Sequence, residues 1–274
     1  MEPPFGPVLV EIGPLSIYWY GFLIAIGILM GARVATFMAE QRGEDPEAIW
    51  DMMMIVVILA LIGARAYHVF SRPQGGMLGW DYYKENPLEA LAIWNGGLGI
   101  YGAIIGGILG VGIFCYVRKL NVWQWLDFIA PGMALGQSIG RWGNYMNREL
   151  YGPPTELPWG LKIPPLYRIA PYANMDAYPE TTRFHPTFLY ESLATLALSL
   201  LLIWIGTRFK DRLRHGDLLL SYLMGYAVIR FFIEYLRPDA WILGPMAAAQ
   251  VFAIGLFAIS IVVVVGRRLL SRER

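Results

Sequence analysis

Residues 140–152, with the sequence GRWGNYMNRELYG, place arginines, asparagines and a glutamate between apolar segments, and we term them the polar motif. Such polar groups are costly beside lipid, so they mark a functional site unless water or partner groups satisfy them. Arg141 offers a planar fork of donors that matches phosphate oxygens, and Asn144 and Asn147 can donate to phosphate or glycerol oxygens. With Glu149 they predict a pocket for an anionic headgroup. The alternative is a helix end whose polar groups lie in headgroup water.

Charged residues of two later apolar segments could complete this pocket. Arg230 and Glu234 lie four positions apart, so a helix would place both on one face. Either they neutralise each other inside the membrane, or Glu234 orients Arg230 towards a phosphate. Glu191 falls about one helical turn inside another apolar segment, where its charge requires a cation or a proton.

Five further residues have weaker signals. Arg65 either binds the headgroup or extends its charge to the membrane interface. His68 fits an interfacial histidine better than a catalyst. Tyr20 follows a tryptophan near the start of the first apolar segment, a pairing typical of an interfacial anchor. Asn95 and Tyr101 flank a glycine run whose four-residue spacing indicates close helix packing, which does not explain these two side chains.

Several kinds of enzyme are disfavoured by the sequence. The G-x-S-x-G elbow, the P-loop lysine motif and the H-E-x-x-H motif are absent. Three scattered histidines argue against a metal site, and no cofactor is expected. The one cysteine, Cys115, lies inside an apolar segment and is predicted to be inert packing.

The elements that must position these residues are membrane helices. The chain has 274 residues, of which 56% are hydrophobic and 16% charged, with a mean hydropathy of +0.45. This composition predicts an all-α polytopic membrane protein that forms a single integral-membrane domain over residues 1–274. A net charge of +1 argues against a nucleic-acid partner. The seven predicted spans cover residues 15–37, 51–70, 97–116, 123–139, 186–205, 218–236 and 241–265.

The distribution of basic residues predicts the orientation of these spans. Lysine and arginine concentrate in alternate loops, among them residues 208–214. The positive-inside rule then places the N-terminus outside and the C-terminus in the cytoplasm. Residues 144–185, which are rich in proline, become an extracytoplasmic loop that caps or gates a site near the outer leaflet.

The chain resembles the bacterial prolipoprotein diacylglyceryl transferases over nearly its whole length. The polar motif is similar to the family's G-R-x-G-N-F-x-N-x-E-x-x-G pattern, with Tyr145 in place of the usual phenylalanine. The segments 19–21, 63–65, 95–97 and 185–191, and the pair at 230 and 234, also follow the family's order.

The resemblance implies a seven-helix enzyme of the bacterial inner membrane. Such enzymes move the diacylglyceryl group of phosphatidylglycerol to the lipobox cysteine of a preprolipoprotein, giving a thioether and glycerol phosphate. It implies functional roles for Tyr20, Arg141, Asn144, Glu149, Gly152, Arg230 and Glu234. The residue types add Asn147, Arg65, Asn95 and Glu191 as candidate headgroup ligands.

Two expectations about mechanism follow. Arg141 and Arg230 should clamp the phosphate, with Glu149 and Glu234 holding their guanidinium groups. Tyr101 occupies the position where some family members carry a histidine proposed as the base. Tyrosine, with a pKa of about 10, is a poor base for a thiol with a pKa of about 8.5, so the role of Tyr101 stays open.

Two rival classes fit the same arginines. A transporter or channel for an anionic solute would line a pore with them, and a non-catalytic lipid-binding protein would need only the headgroup pocket. Clustering near one membrane face favours the enzyme, because a transport pathway should carry charges through the full membrane thickness.

Overall fold

The computed structural model describes residues 1–13, 15–71 and 79–270, with only the backbone described at 15, 95 and 270. The helices are α1 Trp19–Glu40, α2 Glu47–Phe70, α3 Trp80–Glu85, α4 Ile100–Val117, α5 Val122–Asn147, α6 Thr187–Arg208, α7 Asp217–Glu234 and α8 Ala248–Leu270. The strands are β1 Val8–Ile12, β2 Leu15–Tyr18, β3 Leu161–Lys162, β4 Arg183–Phe184, β5 Ile242–Leu243 and β6 Met246–Ala247, which pair as three antiparallel hairpins. The protein is therefore mainly helical.

Five of these helices, α1, α2, α4, α6 and α8, are long and apolar enough to cross a membrane. Many of their large apolar side chains are exposed, as lipid contact requires. This identifies a multi-pass membrane protein. The helices α5 and α7 carry more polar and charged residues, and the count of seven spans stays a prediction.

Two predicted spans begin later than hydropathy indicated. Residues 15–18 form β2, which pairs with β1 after a turn in which Gly13 has a φ of +58°. Residues 242–247 form a hairpin with Gly244 at a φ of +65°, so α8 starts at Ala248. Hydropathy alone misassigned both segments, because short apolar runs suit strands as well as helices.

The boundary of the predicted loop at residue 144 is also wrong. Helix α5 continues through Pro131 and Gly143 to Asn147, so the first part of the polar motif is helical. The connecting segment begins at Arg148 and runs to the start of α6. Gly143 lies inside the helix and faces the Tyr20 ring: a Cβ added there would lie 2.5 Å from Tyr20 Cδ2.

The chain divides into two compact units, which we describe separately: 1–38 with 127–274, and 39–126. In the first unit, α1 packs closely on α5 through glycines. A Cβ added at Gly31 would lie 2.8 Å from Gly132 O, and one at Gly27 would lie 3.0 Å from Gly136 O. Only glycine permits this backbone separation.

In the second unit, α2 and α4 pack through the predicted glycine face. Gly102 approaches the backbone of Gly63, and a Cβ added at Gly110 would lie 2.9 Å from Val56 Cα. The prediction of small-residue packing is confirmed. Cys115 is buried on the same helix.

The segment between α5 and α6 has a small core of its own. Its buried members are Tyr151, Leu161, Ile163, Tyr172 and Phe184, and Phe188 of α6 packs with them. Arg168, also buried, donates to the carbonyls of Ile163 at 3.0 Å and Pro179 at 3.1 Å. The segment is therefore held by packing and by a buried arginine, although it contains little regular structure.

Candidate functional site

Arg141 and Glu191 form the centre of the candidate site. Arg141 Nη2 lies 2.5 Å from Glu191 Oε1, and Glu191 is only 3% exposed. The two helices meet here because Ser138 Oγ donates to Ser192 O at 2.8 Å and Ser192 Oγ donates to Ser138 O at 2.9 Å. The cation that Glu191 was predicted to require is therefore Arg141.

Glu149 contacts Arg141 only through Asn144. Arg141 Nη1 donates to Asn144 Oδ1 at 3.3 Å, and Asn144 Nδ2 donates to Glu149 Oε1 at 2.8 Å. Asn147 Nδ2 donates to the same Glu149 oxygen at 3.3 Å. Glu191 is therefore the ionic partner of the guanidinium, and Glu149 orients the amide beside it.

The backbone around Glu149 explains this geometry. Arg148 has a φ of +57° and Leu150 a φ of +56°, a left-handed conformation that non-glycine residues rarely adopt. The chain therefore turns back at the end of α5, and Glu149 N donates to Asn144 O at 3.1 Å. This turn brings the Glu149 carboxylate to the amides of the preceding helical turn.

Arg230 and Glu234 form a second pair on α7. Arg230 Nη2 lies 2.5 Å from Glu234 Oε2, and Glu234 is 6% exposed. The predicted placement of both residues on one helix face is confirmed. The pairing is compatible with both open interpretations, since a carboxylate that neutralises an arginine also orients it.

Within each ion pair the nitrogen and oxygen atoms are close together, but their hydrogen-bond geometry is poor. Glu191 Oε1 and Glu234 Oε2 are buried, and neither accepts a hydrogen bond of acceptable geometry within the described residues. We interpret each contact as an ion pair, because an N–O distance of 2.5 Å at opposite charges is attractive at any angle. The guanidinium N–H groups therefore do not point straight at these oxygens.

Tyr226 connects the two pairs, and the sequence reasoning missed it. The Tyr226 hydroxyl interacts electrostatically with Arg141, Glu191 and Arg230. Tyr226 precedes Arg230 by four residues, so the spacing that places Arg230 and Glu234 on one face also includes Tyr226. That spacing was the signal available in the sequence.

Arg237 and Asp239 form a third pair just beyond α7, also missed. Arg237 Nε and Nη2 each lie 2.9 Å from an Asp239 oxygen, which is a bidentate contact. Burial opposes ionisation of Asp239, but the hydrogen bonds and charge of Arg237 hold the pKa of its carboxyl below the usual value. Arg237 interacts electrostatically with Glu234 and Glu191, so this pair adjoins the other two.

Tyr20 and Gly152 also contact the polar motif. The Tyr20 ring packs against Gly143, next to Asn144. Gly152 N donates to His185 O at 2.9 Å, and a Cβ added at Gly152 would lie 3.0 Å from Leu236 O. Close backbone approach accounts for a glycine at this position.

Arg65 belongs to the second unit, and backbone oxygens surround it. Its Nε donates to Ala90 O at 2.8 Å, its Nη1 to Gly96 O at 2.8 Å and Gly97 O at 3.0 Å, and its Nη2 to Glu89 O at 2.5 Å. Most of the five donors of the guanidinium are therefore used by the protein itself. This arrangement was not among the expected ones, in which Arg65 binds a headgroup or extends to the interface.

The remaining candidates also lie in the second unit. His68 Nε2 is 3.1 Å from the Tyr83 hydroxyl. Tyr101 is 64% exposed, and its ring centroid lies 5.6 Å from that of Tyr67. The side chain of Asn95 lies outside the part of the chain that the structure describes, so its predicted role stays a prediction.

Comparison with known proteins identifies the family. A family model described as prolipoprotein diacylglyceryl transferase matches residues 7–266. Proteins named phosphatidylglycerol--prolipoprotein diacylglyceryl transferase are similar along most of their length. The one from Synechococcus elongatus is 45% identical, over 93% of this chain and 85% of its own. The one from Bacillus cytotoxicus is 38% identical, over 97% and 93% respectively. The chain therefore belongs to the prolipoprotein diacylglyceryl transferase family.

Proposed function

We propose that the chain transfers the diacylglyceryl group of phosphatidylglycerol to the lipobox cysteine thiol of preprolipoproteins. The observation that carries this proposal is the arrangement of Arg141 and Arg230, each paired with a buried carboxylate and both in contact or electrostatic interaction with Tyr226. Two arginines that interact with the same tyrosine suit a lipid phosphate. The names of the relatives support the same substrates.

Headgroup binding is divided between charged and neutral groups. Arg141 and Arg230 clamp the phosphate, and Glu191 and Glu234 hold the two guanidinium groups in place. Asn144 and Asn147 lie beside the clamp and donate to the headgroup glycerol. Because both amides also donate to Glu149, their orientation is fixed before the lipid binds.

The chemical step is a displacement at the glycerol carbon that carries the phosphate ester. The cysteine sulfur forms a bond to this carbon as the carbon–oxygen bond breaks, and the leaving phosphate oxygen keeps the electron pair. Negative charge grows on the phosphate, so the arginine clamp stabilises the transition state. The nucleophile comes from the peptide substrate. The positive field of the clamp lowers the pKa of the thiol, whose proton passes to water.

We place the enzyme in the bacterial inner membrane, with seven spans and the N-terminus outside. The five apolar helices support a multi-pass arrangement, and the distribution of basic residues supports the orientation. Residues 148–185 then cap the site near the outer leaflet, where lipid and exported peptide can meet. Tyr101 and Asn95 stay predicted site residues.

A single assay tests the proposal against the rival transporter. The purified chain is incubated with phosphatidylglycerol vesicles and a lipobox peptide, and the peptide mass is measured. We expect the mass of one diacylglyceryl group on cysteine, release of glycerol phosphate, and no modification of a peptide with serine in place of that cysteine. Flux of glycerol phosphate across the vesicles without peptide modification would overturn the proposal.

A further inference from the structure

Thr187, the first residue of α6, contacts the polar motif through its hydroxyl. Thr187 Oγ1 donates to Leu150 O, and the residue is 2% exposed. Leu150 directly follows Glu149 and has a φ of +56°. A non-glycine residue keeps this conformation only where surrounding contacts hold it, and the Thr187 hydroxyl supplies such a contact.

A short antiparallel ladder leads to this contact. Gly152 N donates to His185 O at 2.9 Å, and His185 N donates to Pro153 O at 2.9 Å. A Cβ added at Gly152 would lie 3.1 Å from Thr187 Cγ2, so the Gly152 backbone lies directly against the Thr187 side chain. The ladder and the Thr187 hydroxyl together fix the end of the polar motif against the start of α6.

Arg141 depends on both of the elements that Thr187 joins. On α6, Arg141 contacts Glu191, which follows Thr187 by four residues and so lies on the same helix face. In the polar motif, Arg141 donates to Asn144, which in turn donates to Glu149, the neighbour of Leu150. A shift between the two elements would move one ligand of the guanidinium relative to the other.

We infer that Thr187 is a positioning residue for the arginine clamp. Its hydroxyl sets the register between Glu149 and Glu191, and through them the orientation of Arg141 towards the lipid phosphate. This inference rests on the proposed function for the identity of the ligand. Its physical content, the hold of Thr187 on residues 149–152, can be measured without activity.

The test compares two substitutions in the full-length chain. Thr187→Val keeps the size of the side chain but removes the donor, whereas Thr187→Ser keeps the donor. Leaving a buried carbonyl without its partner should raise the KM for phosphatidylglycerol about tenfold in Thr187→Val, with kcat changed less than about threefold. Thr187→Ser should stay within about threefold of the parent in both constants.

A matched control is available on the same helix. Thr195 is equally buried, but its hydroxyl donates only to the carbonyls of Glu191 and Ser192 in its own helix. Thr195→Val should leave the KM unchanged. Amide exchange gives the second readout: in Thr187→Val the Gly152 amide should exchange faster, while α7 and α8 keep their protection.

The outcomes separate this inference from the proposed function. If the parent modifies the peptide but Thr187→Val keeps its KM, or Thr187→Ser loses as much as Thr187→Val, the positioning role is wrong. In Thr187→Val, a fall in kcat as large as the rise in KM, together with a lower unfolding temperature, would show that Thr187 is purely structural. That result would also overturn the positioning role. If the parent modifies no peptide, the proposed function fails, and unchanged Gly152 exchange in Thr187→Val would overturn the inference independently.

Discussion

Glu191 Oε1 lies 2.5 Å from Arg141 Nη2, and this contact joins the polar motif to a helix that begins 46 residues later in the chain. Asn144 contacts the other terminal nitrogen of the same guanidinium at 3.3 Å. Arg141 is thus oriented from two sides, by a charge on α6 and by an amide on α5. Substitutions at each of these positions can separate the contributions of the charge and the amide.

Replacing either clamp arginine by lysine should lower kcat/KM for phosphatidylglycerol by about a hundredfold. Lysine keeps the charge, but it lacks the planar guanidinium that lets arginine contact a protein acceptor and a phosphate at the same time. Steady-state kinetics of Arg141→Lys and Arg230→Lys test this. The control is Arg118→Lys, because Arg118 pairs with Asp51 on an exposed surface of the second unit. Near-normal turnover in both clamp variants would exclude bidentate phosphate binding.

Neutralising Glu191 should lower stability and kcat/KM more than neutralising Glu149. Glu191→Gln leaves the Arg141 charge without its counter-ion, and breaking a buried pair lowers the free energy of unfolding by about 3 kcal/mol. Glu149→Gln keeps an oxygen that can accept from Asn144, so its loss should be smaller. Thermal unfolding in detergent and kcat/KM measure both effects, with Asp51→Asn as the exposed control. A larger loss in Glu149→Gln than in Glu191→Gln would contradict the assignment.

The contact between Tyr20 and Gly143 predicts that alanine lowers activity more at Gly143 than at Gly140, one turn earlier on the same helix. Gly143→Ala places a methyl group 2.5 Å from Tyr20 Cδ2 and must displace the ring. Gly140→Ala meets Ile24 Cδ1 at 3.4 Å, an ordinary contact on the same helix. We expect Gly143→Ala to lower activity at least about tenfold and Gly140→Ala to lower it less than about twofold. Equal activities would show that the Tyr20 position does not matter.

Arg65 should act on the fold of the second unit and not on lipid affinity. Arg65→Lys cannot reproduce the donors that the guanidinium directs at four carbonyls, so the unfolding temperature should fall by several degrees. The KM for phosphatidylglycerol in the fraction that remains folded should stay within about threefold. A tenfold rise in KM without loss of stability would instead assign Arg65 to the headgroup.

The sequence singled out Arg141 and Arg230 but paired only Arg230 with its partner. The spacing of Arg230 and Glu234 is local, so helix periodicity was enough to pair them. The partner of Arg141 lies on another helix, and no local pattern distinguishes Glu191 from Glu149. Similarly, Arg65 had the residue type of a phosphate ligand, but its donors are used by carbonyls between residues 89 and 97, which only the folded backbone brings together.

Hydropathy located the apolar helices but misassigned the ends of some of them, because it does not distinguish a helix from an adjoining apolar strand. The strand at 15–18 and the hairpin at 242–247 are short apolar runs adjoining true helices, and a hydropathy window merges them with those helices. The predicted fourth span ends at residue 139, but α5 continues to Asn147. Within this helix Gly143 admits the ring of Tyr20, a partner that lies distant in the sequence.

The glycine contacts between α1 and α5 constrain where a lipid can enter. At Gly31 the backbone of α1 comes so close to Gly132 that a single methyl group would collide with a carbonyl oxygen, and Gly27 lies nearly as close to Gly136. An acyl chain is at least as wide as a methyl group and cannot pass between helices at that separation. This seam is therefore closed to lateral diffusion, and any opening through which a two-chain lipid leaves the bilayer must lie along a different helix boundary.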